Sequence, residues 1–465
     1  MKITVVDKRL TRKKCVQIVF NEKIRENRFV VDKKTEILEI KIPKKDEMTR
    51  RKWIILVRSI IQEAKKYNLG RIEILWRQLV NFDDLGDNLG QTFAEAVYMA
   101  HYEFRKYKTK PKEGWGDVSE IVVIAKKNDK SLQRQNIKKG ITIATQVNFC
   151  RDLANTPGVD MTPASLVSIT RKAVKGTKIK MRVLDEKQMR RKKMNGVLAV
   201  GQGSRNQSRF IILEYIGTRQ TNKPMVLVGK GVTFDTGGID TKPHPYALDM
   251  MMDMSGGAAV IATMIAVAKL RVKRNIVALI PVVENMPGGS SFRPGDIITM
   301  MDGTHVEVGH TDAEGRLILA DALTFAKIYK PAQIIDVATL TGAAMMALGE
   351  RATAIFTDED ELASNTLKIA EETGDYAWRL PLWDEYSTEI VGTHGDISNI
   401  RTKGQPGYGG AITAAAFLKH FAKDYKKWMH MDIAPTMTAV FDEQLTKGAK
   451  GSPVRLLISI LENDL

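Results

Sequence analysis

Along residues 1–132, short β-branched runs alternate with longer stretches whose apolar positions recur every three to four residues. ITVV (3–6), FVV (29–31), ILEIKI (37–42) and IVVIA (121–125) read as strands, whereas WIILVRSIIQEAKKY (53–67) and TFAEAVYMAHYEFRKYK (92–108) read as helices. This alternation predicts a small α/β module. IKKGITIATQVNFCRDLANTPG (137–158) reads as one helix closed by Asn155, Pro157 and Gly158, and predicts a connector over 133–158. From there the pattern changes. FIILEYI (210–216), MVLVG (225–229), NIVALIPVV (275–283) and AQIIDVATL (332–340) are continuously apolar, as strands buried on both faces are. Between and after them SGGAAVIATMIAVAKL, RLILADALTFAKIY and GGAITAAAFLKHFAKDY read as helices. The expected fold is α/β in two domains: a smaller N-terminal α/β module over 1–132, and a larger catalytic domain over 159–465 with a mixed, mostly parallel central sheet. Ligands of such sheets collect beyond the carboxyl ends of the strands.

Length and composition agree: 465 residues suit two cores, and 43% hydrophobic with 27% charged residues is an ordinary globular mixture. The charge is uneven. Residues 1–150 hold 33 Lys+Arg against 19 Asp+Glu, leaving 38 against 35 for the rest of the chain. A basic first third suits either a lysine-rich solvated surface or a face that meets nucleic acid. Cys15 and Cys150, the only cysteines, form no metal or redox motif and suit a reducing compartment. The N-terminus has no apolar segment long enough for a signal peptide, and GGAAVIATMIAVA (256–268) is shorter than the roughly 20 residues that span a bilayer. It reads as a buried helix. The expectation is a cytoplasmic protein without a membrane partner.

The chemistry concentrates in two segments. In GKGVTFDTGGIDTKPHPYALDMMMDMSGGAA (229–259), Lys230 follows a strand, Asp235 precedes a Gly-Gly pair, Lys242 follows, and Asp253 stands at the opening of the buried helix. In HTDAEGRL (310–317), Asp312 and Glu314 lie two apart, with Arg316 in the first turn of a helix. In an extended segment, residues two apart point to the same side, so both carboxylates are expected to face one cavity. Taken singly these features are bland: a DxE before a helix is most often a cap, and FDTGG a turn with both glycines at positive φ. Together, four carboxylates near strand ends repel unless cations hold them, and two divalent ions about 3.5–4 Å apart would do so. Lys230 could join as a ligand only after losing its proton, which burial and adjacent cations favour. The chain has no HExxH and no P-loop spacing. A two-metal phosphoesterase also fits the carboxylates alone.

VGKGVTFDTGGIDTKP, ENMPGGSSFRPGDIITMMDG and HTDAEGRLILADAL resemble the leucyl aminopeptidase family of dinuclear metallopeptidases, as do RDLANTPGVDMTPASL, DVATLTGAAMMALG, GGAITAAAFLKHF and WMHMDIAPT. The likeness spans nearly the whole catalytic half, in order. It implies Lys230, Asp235, Asp253, Asp312 and Glu314 as metal ligands. One ion would take Lys230, Asp235, Asp253 and Glu314, and the other Asp235, Asp312 and Glu314. Zinc or manganese is implied, with cobalt or magnesium as alternatives in the more exchangeable site. Lys242 and Arg316 would be the catalytic residues that bind no metal, with bicarbonate held at Arg316 as general base. The implied reaction releases N-terminal residues, leucine and other hydrophobic ones preferred, from peptides with a free N-terminus, by attack of metal-activated water. Met250, Thr339 and Gly342 match positions lining the first side-chain pocket, and a homohexamer is implied. Some bacterial members also bind DNA, which keeps a regulatory role of the basic region as the alternative. Two positions depart from the family pattern: His310 stands where asparagine is usual, and Met251 where a basic residue is common.

Overall fold

The computed structural model describes residues 1–8, 15–32, 35–82, 85–218 and 223–463. It divides into two compact units, Met1–Asn148 with Ala439–Lys447, and Phe149–Thr438 with Gly448–Leu465.

The first unit carries a six-stranded sheet of β1 (Lys2–Val6), β2 (Val16–Asn21), β3 (Arg28–Asp32), β4 (Thr35–Lys41), β5 (Arg71–Leu75) and β6 (Glu120–Ile124). Their order is β1-β6-β5-β2-β4-β3, parallel except for β3 against β4. The helix Arg50–Lys66 starts at Thr49, whose side chain accepts from Lys52 N. It buries Trp53, Val57, Ile60, Ile61 and Ala64, and the Trp53 indole N–H reaches Leu79 O at 2.7 Å. The second helix expected here, over 92–108, runs instead from Leu89 to His101, and Tyr102 is extended. Arg105 explains the early stop. Its guanidinium forks onto Asp117 at 2.6 and 2.7 Å and lies over the Trp115 ring, and those contacts hold the segment in an irregular path.

In the second unit the strands are β7 (Ile179–Leu184), β8 (Arg209–Ile216), β9 (Met225–Gly229), β10 (Gly231–Asp235), β11 (Asn275–Asn285), β12 (Ile297–Thr299), β13 (His305–Glu307), β14 (Gln333–Ala338), β15 (Thr353–Phe356), β16 (Ala377–Arg379), β17 (Ile397–Ser398) and β18 (Trp428–Asp432). The main sheet runs β16-β15-β18-β14-β9-β11-β8-β7, with β10 paired to β11. Its centre, β18-β14-β9-β11, is parallel, while β8 is antiparallel to β11 and β15 to β18. The sheet is mixed with a parallel core, as expected. Strand β9 shows why its sequence is apolar throughout. Val226 and Val228 join the core that holds Leu317 and Phe417, while Leu227 is equally buried and points the other way. The helix Ser255–Leu270 is buried along its length from Ser255 to Val267. Among the described residues no helix is long and apolar enough to cross a membrane.

Candidate functional site

Every candidate from the two chemical segments lands at one end of the parallel core. Lys230 leaves β9 while its N–H still bonds Val337 O of β14, and Asp235 is the last residue of β10. Gly237 and Gly238 follow at φ 90° and 71°, turning the chain so that Lys242 N closes on Thr236 O at 2.8 Å. Asp253 ends the short helical turn Met250–Met252, two residues ahead of the buried helix rather than opening it. Asp312 lies in a turn, and Glu314 has helical backbone angles as the residue preceding the helix Gly315–Ala326. The two carboxylates therefore do not converge by strand alternation, because the segment is not extended. A turn followed by a helix start brings them together.

The four carboxylates interleave with the two lysines. Lys230 Nζ lies 2.9 Å from Asp253 Oδ1 and 2.7 Å from Glu314 Oε1, and donates to Thr339 O at 2.9 Å. Its approach to Glu314 is a charge contact without hydrogen-bond alignment, since Glu314 Oε1 has no bonded donor. Lys242 Nζ is 2.9 Å from Asp235 Oδ2 and also pairs with Asp312. Gly315 leaves room for this arrangement: a Cβ there would lie 2.8 Å from Lys230 Nζ. Burial works to lower the pKa of Lys230, but Asp253, Glu314 and Asp235 outweigh it and hold the ammonium above its ordinary range. Lys242 is raised by Asp235, Glu314 and Asp312, again against burial. Burial, with Glu314 and Asp235, pushes Asp253 well up, and burial with Asp235 and Glu314 pushes Asp312 up to about 7.

Two ammonium groups would not neutralise four ionised carboxylates, and the raised Asp253 and Asp312 are the response to that crowding in a buried place. Ligand oxygens of Asp235, Asp312 and Glu314 all lie within 4.8 Å of one another, and Asp253 Oδ2 is buried with no hydrogen-bond partner. An orphaned carboxylate oxygen beside a clustered oxygen set fits divalent cations. Arg316 makes a second fit. It is 8% exposed, its Nη1 donates to Asn399 O at 2.7 Å, and its Nε is buried without a partner. Burial lowers its pKa to about 10 despite Glu314, Asp432 and Asp312, and among the described residues its guanidinium forms no ion pair. Its free edge suits a small oxyanion.

The three pocket candidates separate. Met250 is half-buried at the start of its helical turn, and a Cβ at exposed Gly342 would meet open space. Thr339 does more than line a wall: its hydroxyl donates to Asp253 Oδ1 at 2.7 Å while its carbonyl receives Lys230. Met251 is half-buried beside Met250. His310 Nδ1 accepts Asp312 N–H at 3.1 Å and lies 3.5 Å from Asp240 Oδ2, so it steadies the turn that carries Asp312.

Several supporting residues escaped the sequence reading. Asn285 donates to Asp235 Oδ1 at 2.8 Å, and Asp240 accepts Thr311 N–H at 2.8 Å. Asp432 accepts from Leu340 N and from the Thr341 hydroxyl, fixing the turn after β14. Asn285 closes an apolar strand at the ligand-binding end of the sheet, a signal available from pattern alone, whereas Asp432 ends β18, whose WMHMD has no apolar pattern. Asn399 carried no local signal.

A mixed α/β sheet with a buried cluster of carboxylates and lysines beyond its parallel strand ends is the arrangement of an enzyme site whose oxygens could hold cations. Residues 148–458 match the cytosol aminopeptidase family, catalytic domain. Probable cytosol aminopeptidases of Paraburkholderia phymatum and Burkholderia mallei are each 44% identical over 360 residues, covering 77% of this chain and 70% of theirs. The solved bottromycin maturation enzyme BotP, in complex with Mn, is similar with a TM-score of 0.86 and 26% identity, over 97% of this chain and 99% of that one. The chain belongs to the cytosol aminopeptidase family and is a hydrolase of the leucyl aminopeptidase type.

Proposed function

We propose that the chain is a two-metal aminopeptidase that releases leucine and other hydrophobic residues from peptides with a free N-terminus. The convergence of Asp235, Asp312 and Glu314, with the orphaned oxygen of Asp253 beside them, carries this reading. Lys230, Asp235, Asp253, Asp312 and Glu314 would hold the ions. Zinc or manganese suits these ligands, with cobalt or magnesium as alternatives in one site, and the complex of BotP with Mn supports manganese. When bound, the ions would polarise the scissile carbonyl and activate water.

The chain's own residues supply the rest. Lys242 carries its charge at the mouth of the cluster, its side chain 15% exposed against 3% for Lys230. It is therefore the ammonium that reaches the substrate, where it stabilises charge developing on the carbonyl oxygen. Arg316 would hold bicarbonate through its unpartnered edge, and that anion would supply the general base that the histidine-free site otherwise lacks. Met250 offers a soft apolar wall, and the open space at Gly342 leaves room for a leucine-sized side chain. A cytoplasmic homohexamer completes the proposal.

The test is hydrolysis of a leucine amide by chelated enzyme, with each metal added back. Restored turnover with manganese or zinc, and none on the N-acetylated substrate, is the expected result. Hydrolysis of the acetylated substrate would exclude the requirement for a free amine. Sedimentation of the intact chain reads the assembly.

A further inference from the structure

Behind the carboxylate cluster the second unit has a cavity of about 530 Å³, inside the size range of small-molecule sites. Strands β10 and β11 place it. Their register sets Asp235 opposite Asn285 and Phe234 opposite Glu284. Neighbouring residues in a strand point to opposite faces. The pair Asp235 and Asn285 serves the cluster already described, while Phe234 and Glu284 line the cavity. Val159, Met286 and Pro287 extend its apolar wall.

Glu284 is the unusual member. It is 6% exposed, and its carboxylate accepts Ser204 Oγ at 2.5 Å and Asn206 Nδ2 at 3.0 Å from each oxygen. Both donors are neutral. Among the described residues no cationic side chain pairs with it, which is costly for a buried carboxylate in an apolar wall. Arg205 sits between those two donors in sequence, lines the same cavity, is exposed, and forms no ion pair among the described residues. One face of the cavity thus holds an anion without a cation, and the cavity also holds a cation without an anion.

We propose that this cavity binds a free α-amino acid with an apolar side chain, its ammonium on Glu284, its carboxylate on Arg205 and its side chain against Phe234 and Met286. A zwitterion is the smallest ligand that answers both charges at once. The ligand class coincides with the product of the proposed reaction, but the site does not depend on that reading.

Calorimetry of L-leucine with the full chain tests it, using Asp312→Ala to separate this site from the catalytic one. The expected result is one leucine bound per chain in Asp312→Ala. Arg205→Ala, introduced on that background, should weaken binding about tenfold or more, as loss of a charge-assisted contact does. N-acetyl-L-leucine, which lacks the ammonium, and isoamylamine, which lacks the carboxylate, should each bind at least about tenfold more weakly. Glu284→Gln should weaken leucine to a similar degree. If that variant does not fold, Arg205→Ala and the two analogues decide alone. Absence of leucine binding in Asp312→Ala, binding that Arg205→Ala leaves unchanged, or equal binding of either analogue overturns the proposal. Leucine amide hydrolysis by the unaltered enzyme is scored separately, so the peptidase reading can stand while this site fails.

Discussion

The side-chain amide of Asn399 grips the His310 backbone from both sides, accepting its N–H at 3.3 Å and donating to its carbonyl at 2.7 Å. The same amide accepts from Gly309 N and donates to Ala313 O, while Asn399 O receives the Arg316 guanidinium. One fully buried residue therefore sets both the turn that carries Asp312 and Glu314 and the position of Arg316. Asn399→Ala should lower kcat on leucine amide by about a hundredfold, the usual cost of a misplacement near 1 Å, with a smaller change in KM. Asn399→Asp keeps the acceptor but loses the donor and buries a charge, so it should not rescue. An unchanged kcat in the alanine variant would reduce Asn399 to a packing residue.

Arg316 gives a sharper test, because its roles in structure and chemistry use different atoms. Nη1 is committed to Asn399 O, and Nε is left over. Lysine has a single ammonium and cannot make both contacts with a fork's geometry. Arg316→Lys and Arg316→Ala should both lose about a hundredfold or more in turnover. Both should also lose any stimulation by added bicarbonate, while two metals remain bound. Bicarbonate stimulation persisting in Arg316→Ala would remove the anion from this residue.

Where continuous apolar runs marked strands and helices buried on all sides, the chain was legible. Strands β9, β11 and β14 and the helix Ser255–Leu270 fall where the pattern placed them, and the chemistry gathers at their ends. Strand β18 was not legible as a strand, because WMHMD is interrupted by polar letters. In the fold two of its residues turn to Asp336 on the neighbouring β14, which takes the Trp428 indole N–H at 2.7 Å and pairs with His430 Nδ1 at 2.5 Å. A core strand whose polar groups find a partner on the next strand leaves no apolar signature. The mutual placement of Asp312 and Glu314 was misread for a related reason. Spacing alone does not distinguish an extended segment from a turn that enters a helix, and here Asn399, 89 residues from His310, fixes the turn.

The two lysines should separate in their effects, since only one is deeply enclosed by the cluster. Lys242→Ala should keep two metals per chain by elemental analysis and lose on the order of a hundredfold in turnover, because it removes a charge that serves the transition state. Lys230→Ala strips a neighbour shared by Asp253, Glu314 and Thr339 O, and should retain fewer than two metals after dialysis. Metal loss in Lys242→Ala with full loading in Lys230→Ala would reverse the two assignments.

Asp321, away from the carboxylate cluster, should make stability depend on pH. It is fully buried in the helix Gly315–Ala326, and its oxygens accept Val197 N and Met301 N, each at 3.0 Å. Burial nevertheless pushes its pKa up to about 7 from an ordinary 3.8, against those backbone donors. A folded-state pKa above the unfolded one means that the native chain holds the proton more tightly. The resulting stability is complete below about pH 4 and is lost as pH rises through about 7. A shift of that size corresponds to roughly 4 kcal/mol across the window. Asp321→Asn cannot titrate, but its NH2 group cannot accept a backbone N–H, whereas the hydroxyl oxygen of the protonated carboxyl still can. At pH 5 it should therefore be less stable than the unaltered chain, by about 1–3 kcal/mol for an unmet buried donor. The gap should narrow between pH 5 and 8, as the carboxylate of the unaltered chain ionises at a cost the amide does not bear. Denaturant midpoints of both proteins across that range measure it, and a gap that stays constant or widens with pH would mean that Asp321 is already ionised at pH 5.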